Sequence, residues 1–518
     1  MCHPYLVAGL LTSALSMGFL LSVQAQESGE AIFRMDIKAP ILFSAGNSDT
    51  SGETPPIETQ NPLTISLQGT SPFEVNVGEP MSAIDLRHFA TVNGNPNVTN
   101  ADLTWATSTP GDLPPGVTLS GSSLLGTPTA VNSYDFEIVA SHPDAADAGR
   151  QVYTIIVNGV ELKVTAISAG TQHTCAVTTA GGAKCWGRGT EGQLGNGPAM
   201  SQLMPVNVQG LTSGVASISA GSYHTCAVTT AGGAKCWGSD TYGQLGNDSD
   251  LENKLTPVDV DGLTSGVLSI STNTYHTCAV TISGGAKCWG RNDYGQLGND
   301  STTNQPRPVD VKGLLSGVGS ISAGNSHTCA VTISGGAKCW GVDSYGQLGN
   351  DIKLETKHTP VNVDGLTSGV VSISAGHYHT CVITTSGGAK CWGYNSHGQI
   401  GNNSTTNQPR PVDVQELLSG VGSISASFYQ TCAVTTSGGA KCWGGDEYGQ
   451  LGNDAKLENK HTPVDVDGLA SGVVSIAVSY HTCAVITGGK AKCWGWNNYG
   501  QLGNDSTTNQ PTPVDVQW

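Results

Sequence analysis

The chain has 518 residues, a formal charge of −17, only 12 % charged side chains, 69 glycines and 24 prolines. It is too long for one small core and too rich in turn formers for long helices. Uniform acidity with no basic arm repels phosphate backbones and excludes nucleic acid as a partner class.

The first element in chain order is an apolar run from Tyr5 to Val23, closed by Val23-Gln24-Ala25. Small residues at the −3 and −1 positions predict signal-peptidase cleavage after Ala25, so residues 1–25 read as an export signal. The stretch before the run has no Lys or Arg, which departs from that pattern and leaves an uncleaved anchor as the alternative. The run is short for a span of about 20 residues, which favours the signal. Cys2 precedes the run and is not placed as a lipoprotein cysteine would be. No other segment is apolar enough to cross a membrane. Residues 26–62, rich in Ser, Gly and Thr, read as a flexible linker.

Residues 63–158 have a different texture. Phe73, Val75 and Val77 alternate with polar residues, as do Tyr134, Phe136 and Ile138, which predicts strands. The stretch Leu113-Pro114-Pro115-Gly116-Val117-Thr118-Leu119, with Gly126-Thr127-Pro128, resembles the Ig-like domains of bacterial surface proteins. That resemblance implies a small Ig-like β-sandwich serving as a spacer.

From residue 161 to residue 518 the chain repeats. Seven Cys-Trp-Gly triplets carry Trp186, Trp237, Trp289, Trp340, Trp392, Trp443 and Trp494, spaced by 51 or 52 residues. A fixed period in this range means blades or a stacked array. A double-length period overlies it: Asn299–Val311 recurs near Asn403 and Asn504, and Lys353–Val363 recurs near Lys456. Within one unit, Val215–Ala220 alternates. His224-Thr225-Cys226-Ala227-Val228 and Ala234-Lys235-Cys236-Trp237-Gly238 flank a Gly-Gly turn, and Pro257-Val258-Asp259-Val260 closes the unit. Four short strands per unit suit a propeller blade. The first unit opens at Val164 and the last ends at Val516. Those ends predict a ring in which the last strand pairs into the first blade and leaves no exposed edge.

Setting aside Cys2, fourteen cysteines form seven pairs ten residues apart. They are Cys175 with Cys185, Cys226 with Cys236, Cys278 with Cys288, Cys329 with Cys339, Cys381 with Cys391, Cys432 with Cys442, and Cys483 with Cys493. Each pair falls at matching heights on two arms of a hairpin, where opposed Cα atoms lie about 4.5 Å apart, within disulfide reach. Zinc sites use closer spacings. Free core thiols would suit a cytosolic chain. With an export signal, seven disulfides are expected.

The block His-Thr-Cys-Ala-Val-x-x-x-Gly-Gly-x-x-Cys-Trp-Gly followed by Tyr-Gly-Gln-Leu-Gly-Asn closely resembles the regulator of chromosome condensation repeat, in order, in all seven units. The resemblance implies a seven-bladed β-propeller. The family's name-giving member is a nuclear exchange factor for a small GTPase, whereas this chain reads as exported and acidic. A secreted β-lactamase inhibitor of soil bacteria is a relative that uses one propeller face to bind a protein, a precedent that fits the compartment better.

His173, His224, His276, His327, His379 and His481 recur once per blade, with Gln430 in the sixth. A ring of imidazoles could bind metal, but the blades space them too widely for one ion, so a hydrogen bond to the blade turn is expected. The seven tryptophans could form a ligand cage and fit blade core better. Loops such as Asn299-Asp300-Ser301 and Asn504-Asp505-Ser506 lack the spaced carboxylates of a calcium loop and read as solvated turns. More informative are the positions that differ between near-identical repeats. One set precedes His-Thr-Cys: Tyr223, Tyr275, His377, Tyr378, Phe428, Tyr429 and Tyr480. The other follows Cys-Trp-Gly: Arg188, Arg291, Tyr394, Glu447 and Trp496. Loops on one face would place them side by side, and Tyr, Trp and Arg dominate binding hot spots; ordinary loop decoration is the alternative.

No catalytic constellation is present in the sequence, and no metal or cofactor is expected. The sequence predicts an all-β, monomeric, non-catalytic module, secreted, periplasmic or at the cell surface, whose propeller face binds an extracellular protein or glycan. The rival readings are an exchange-factor-like regulator by descent, a secreted enzyme inhibitor, and a hydrolase or lyase with a site in the channel; the last would need a unique polar cluster in one blade.

Overall fold

The computed structural model describes residues 62–158 except 70, 78–79, 110 and 131, and residues 163–518 except 248–250, 351–352 and 454–455. The export signal and all but the final residue of the linker read from the sequence lie outside the described residues.

Residues 63–158 fold around one apolar core of Leu86, Leu124, Phe136, Ile138, Tyr153 and Ile155. Among the described residues nine strands sort into three small sheets. The longest pair, Asn132–Ser141 and Gly149–Asn158, runs antiparallel. Phe73–Asn76 adds to it in parallel, Phe73 opposite Ile155. The alternation read along Tyr134, Phe136 and Ile138 holds, with Phe136 and Ile138 in the core. The Pro-Pro-Gly stretch is a turn: Val117 N donates to Pro114 O at 2.9 Å.

Seven four-stranded antiparallel sheets follow. Blade 2 shows the plan, with strands Val215–Ala220, His224–Thr229, Ala234–Gly238 and Lys254–Asp259 from the axis outward. The other blades open at Val164, Val267, Val318, Val370, Val421 and Val473. The simple alternation read along Val215–Ala220 does not survive intact. A bulge between Val215 and Ser217 shifts the register, so Val215, Ile218 and Ala220 reach the same core.

The cysteines of each pair stand directly opposite in the hairpin, as Cys226 does to Cys236. Among the described residues seven disulfides join them. In the first three blades Cys175 is bonded to Cys185, Cys226 to Cys236, and Cys278 to Cys288. In the next three Cys329 is bonded to Cys339, Cys381 to Cys391, and Cys432 to Cys442. Cys483 and Cys493 close the last hairpin. The pairing is the one read from the ten-residue spacing, and the opposed Cα atoms lie 4.1 Å apart, somewhat closer than expected. Each disulfide is fully buried and packs against the next blade: Cys175 and Cys185 share a core with Ala227 and Trp237. The tryptophans are therefore blade core and not a cage.

The ring closes, but not by strand exchange. The last strand, Gln510–Asp515, pairs with Ala491–Gly495 of its own blade, and every blade consists of four consecutive strands. The expectation of a shared blade overlooked that the first unit has its own outer strand, Gln202–Asn207, with Pro205 and Val206 in the usual place. Closure rests instead on bonds and packing between the first and last blades, among them Val164 N donating to Gly489 O at 2.8 Å. Trp186 Nε1 donates to Gln501 O at 2.9 Å, Thr174 Oγ1 donates to the same carbonyl at 2.8 Å, and Val164, Ala176 and Trp186 share a core with Cys483 and Cys493.

The repeating histidines bond across six of the seven seams. His224 Nε2 bonds Thr277 Oγ1 at 2.8 Å, and His481 Nε2 bonds Thr174 Oγ1 at 2.6 Å to complete the circle. Gln430 takes the same role, donating to Thr482 Oγ1 at 2.7 Å. The partner is thus the neighbouring blade and not the blade turn. Among the described residues no cluster of His, Cys, Asp and Glu is arranged to hold a metal ion, and no helix is long and apolar enough to cross a membrane.

Candidate binding face

Two loops of each blade emerge on one face: the short loop between the first and second strands, and the longer loop between the third and fourth. All of the variable residues singled out from the sequence lie there. The longer loop is fixed from below by the glutamine of Gly-Gln-Leu-Gly. In blade 3, Gln296 Oε1 accepts from Tyr294 N at 3.0 Å. Gln296 O accepts from Trp340 Nε1 at 2.9 Å and Thr328 Oγ1 at 2.8 Å in blade 4. One residue therefore ties a surface aromatic to the core of the next blade. The following glycine, Gly298, is required: its φ is +70°, and a Cβ there would meet Trp340 Nε1 at 2.6 Å.

Beyond that anchor the longer loops come in two kinds. In blades 3, 5 and 7 an asparagine (Asn292, Asn395, Asn497) closes the loop; Asn292 Nδ2 donates to Asn299 Oδ1 and to the carbonyls of Ser301 and Thr303. In blades 2, 4 and 6 an aspartate (Asp240, Asp343, Asp446) holds it, accepting from the leucine N–H of Gly-Gln-Leu-Gly. Blade 1 has Gly189 at that position. The Asn/Asp-rich segments are thus internally bonded turns.

The rings form a horseshoe. It starts at Tyr345, whose ring centre is 4.9 Å from that of Tyr394. It continues through Tyr429, 6.3 Å from Tyr394, and Phe428, stacked 4.3 Å from Tyr480. Trp496 follows, 5.6 Å from both Tyr480 and Tyr499. Arg188 bridges Tyr499 and Tyr223, its Cζ 5.7 and 5.8 Å from their centres. Tyr223 stacks on Tyr275 at 5.7 Å, and Arg291 links Tyr275 to Tyr294. The open side is blade 4, where Ser326 and Val342 stand in the equivalent positions. Tyr378 joins the arc against Tyr345 and Tyr394.

One predicted residue is placed differently. His377 is buried, stacked on Phe428, and lines the mouth of the axial channel, so it supports the face from beneath. Burial holds its imidazole well below the usual histidine range. Tyr242, Tyr294, Tyr345, His397, Tyr448 and Tyr499, which the repeat pattern presented only as turn residues, supply much of the horseshoe. Their signal was an aromatic or histidine directly before Gly-Gln.

Burial pushes the phenols of Tyr275, Tyr378 and Tyr429 up, and that of Tyr480 to about 12, so they stay neutral donors at physiological pH. Both arginines are already paired: Arg188 with Glu191, and Arg291 Nε with Asp293 Oδ2 at 2.7 Å. The channel holds a cavity of about 150 Å³ lined by serines and alanines of the innermost strands. Several of its hydroxyls bridge the seams; Ser168 Oγ accepts from Ala220 N at 2.9 Å, and Ser322 Oγ from Ala375 N at 2.9 Å. The opposite face exposes Ile282, Leu315, Ile333 and Leu418.

Residues 140–414 match the model of the RCC1-like domain, and residues 423–450, 438–486, 474–501 and 489–518 match the regulator of chromosome condensation (RCC1) repeat. The chain belongs to the RCC1-like domain family. It is 30 % identical over 367 residues to the ultraviolet-B receptor UVR8 of Arabidopsis thaliana, covering 68 % of this chain and 82 % of that one. It is also 30 % identical over 345 residues to the human E3 ubiquitin-protein ligase HERC2, covering 64 % of this chain but 7 % of the ligase. Yeast RCC1 (Prp20), in a crystal structure with Kap60, superposes with a TM-score of 0.59 at 20 % identity, over 69 % of this chain and 85 % of that one. That likeness shows the shared propeller fold.

Proposed function

We propose that this RCC1-like protein is an exported, non-catalytic binding module that uses the aromatic horseshoe to hold a protein or glycan outside the cytoplasm. In this reading residues 1–25 direct export, residues 26–62 are a tether, and residues 63–158 form an Ig-like spacer. The observation that carries it is a contrast. Everything that holds the blades together repeats, while the loop residues of one face diverge into a nearly continuous arc of Tyr, Trp, Phe and Arg. RCC1-like relatives that serve as receptors or as one part of a larger ligase support a binding role. Seven buried disulfides favour an oxidising compartment.

The test is site-specific photocrosslinking in the host organism. A benzoylphenylalanine at Tyr394 or Tyr223 should trap a discrete partner outside the cytoplasm, and one at Ile333 on the opposite face should not. Crosslinks confined to Ile333, or none from either face, would sink the proposal. Nucleotide exchange on a small GTPase is the second reading. It rests on descent, and it would displace the first if the reduced protein accelerated nucleotide release.

A further inference from the structure

The chain itself shows how this face holds a guanidinium. In blade 3, Arg291 Cζ lies 5.3 Å from the ring centre of Tyr242, 5.5 Å from Tyr275 and 5.6 Å from Tyr294. Its Nε donates to Asp293. Tyr242 comes from the preceding blade; the other two rings come from blade 3. The same centre recurs elsewhere and is filled by a ring: Tyr394 in blade 5 and Trp496 in blade 7.

Blade 6 keeps the walls and the counter-ion but has no side chain at the centre. His397 of the preceding blade, Tyr429 and Tyr448 stand where Tyr242, Tyr275 and Tyr294 stand in blade 3. Glu447 stands in the place of Asp293, and Gly445 in the place of Arg291. Gly445 does not adopt a positive φ, so the backbone does not demand glycine. A Cβ there would sit between the two walls, 3.1 Å from Tyr429 Cβ and 3.6 Å from His397 Cδ2. The imidazole leans toward Tyr429, ring centres 4.5 Å apart, and forms part of the floor. Glu447 is exposed, forms no ion pair among the described residues, and its charge acts on both the His397 imidazole and the Tyr448 phenol. Blades 2 and 4 lack one ring each, with Glu191 and Ser326 in the wall positions. Two rings, a carboxylate and an unfilled centre therefore coincide in blade 6, while Tyr448 packs on Tyr480 and Trp496 of blade 7.

We propose that this nest receives an arginine side chain presented by a partner protein, its guanidinium stacking against Tyr429 and His397 and pairing with Glu447. A planar guanidinium can lie flat against a ring and present its edge to a carboxylate, as the placement of Arg291 between its rings and Asp293 illustrates; an ammonium has no plane to stack. This rests on the horseshoe being the binding surface and names one chemical element of its partner.

The experiment is a titration of the full chain with acetyl-Gly-Arg-Gly-amide, followed by NMR of the His397 imidazole, with the citrulline peptide as the uncharged isostere. Saturable shifts are expected with arginine, weakened about tenfold or more by citrulline and by Glu447→Gln. Gly445→Arg should fill the nest from within and abolish the response while the melting temperature holds. Equal binding of citrulline, indifference to Glu447→Gln, or a silent His397 would overturn the proposal. Crosslinks from Tyr394 alongside a silent His397 would reject the arginine site alone and leave the binding face standing.

Discussion

The imidazoles at the blade seams are neutral because burial makes the charged form costly. His173, His224, His276, His327, His379 and His481 are all pushed down to about 3 by desolvation. In the unfolded chain they would titrate near 6.5. Between those values the unfolded state takes up protons that the folded state refuses. Stability is therefore complete above about pH 6.5 and falls as the pH drops toward 3, by up to about 1.4 kcal/mol per pH unit for each histidine. Blade 6 has already made the exchange that isolates this effect, since Gln430 bonds Thr482 as the histidines bond their threonines. His224→Gln should fold with little loss at pH 7.5 and lose less stability than the parent between pH 7 and 5. Urea unfolding across that range measures it; an unchanged pH slope would contradict the assignment. Much of this was legible in the sequence: the period and the substitution of Gln430 pointed to structure. The partner was not, because a hydrogen bond between blades joins residues about one period apart that no local pattern connects.

At the scale of the hairpin, the cysteines were the plainest part of the sequence. A ten-residue separation across a Gly-Gly turn puts two positions opposite each other, and Cys278 does oppose Cys288 with Cα atoms 4.1 Å apart. Each bridge closes a short loop and contributes about 2–3 kcal/mol on the chain-entropy model. It also packs against the tryptophan of the next blade, as Cys278 and Cys288 do on Trp340. Replacing both residues by alanine should therefore cost at least that much and destabilise both blades 3 and 4. Hydrogen exchange would show protection lost in Ala337–Gly341 as well as in Ala286–Gly290; loss confined to blade 3 would show that the seam is not coupled. The bulge at Val215 to Ser217 was hidden for the opposite reason. Val-Ala-Ser-Ile-Ser-Ala alternates plausibly in either phase, so sequence could not show where the phase slips.

At the scale of the ring, the closing seam has the same parts as five of the other six; between blades 6 and 7 Gln430 stands for the histidine. Thr174 bonds His481 and Gln501 O as Thr277 bonds His224 and Gln244 O. Thr174→Val and Thr277→Val should each cost about 1–3 kcal/mol, by leaving buried polar partners unmet. The two losses should agree within experimental error in denaturant melts. A markedly larger loss at Thr174 would mean that the seam without a continuous chain is the weak point. The architecture was readable from the repeats, and the mode of closure was open to reading too: Pro205-Val206-Asn207-Val208 matches the Pro-Val-x-Val that ends the other units, and the expectation of a shared blade passed over it. The horseshoe was half readable: the residues that vary announced themselves, while the rings before Gly-Gln were camouflaged by recurring in nearly every repeat.

The two loop types alternate round the ring, aspartate in blades 2, 4 and 6 and asparagine in blades 3, 5 and 7. A two-colour pattern cannot close on an odd number of places. One blade must break it, and blade 1, with Gly189, is that blade. An even-numbered ring with this alternation would look the same after every second step and would offer a partner several equivalent poses. The odd count removes that degeneracy. The ring has an origin and a sense of rotation, so whatever docks on it can be indexed to a single orientation, as a key is by one missing tooth.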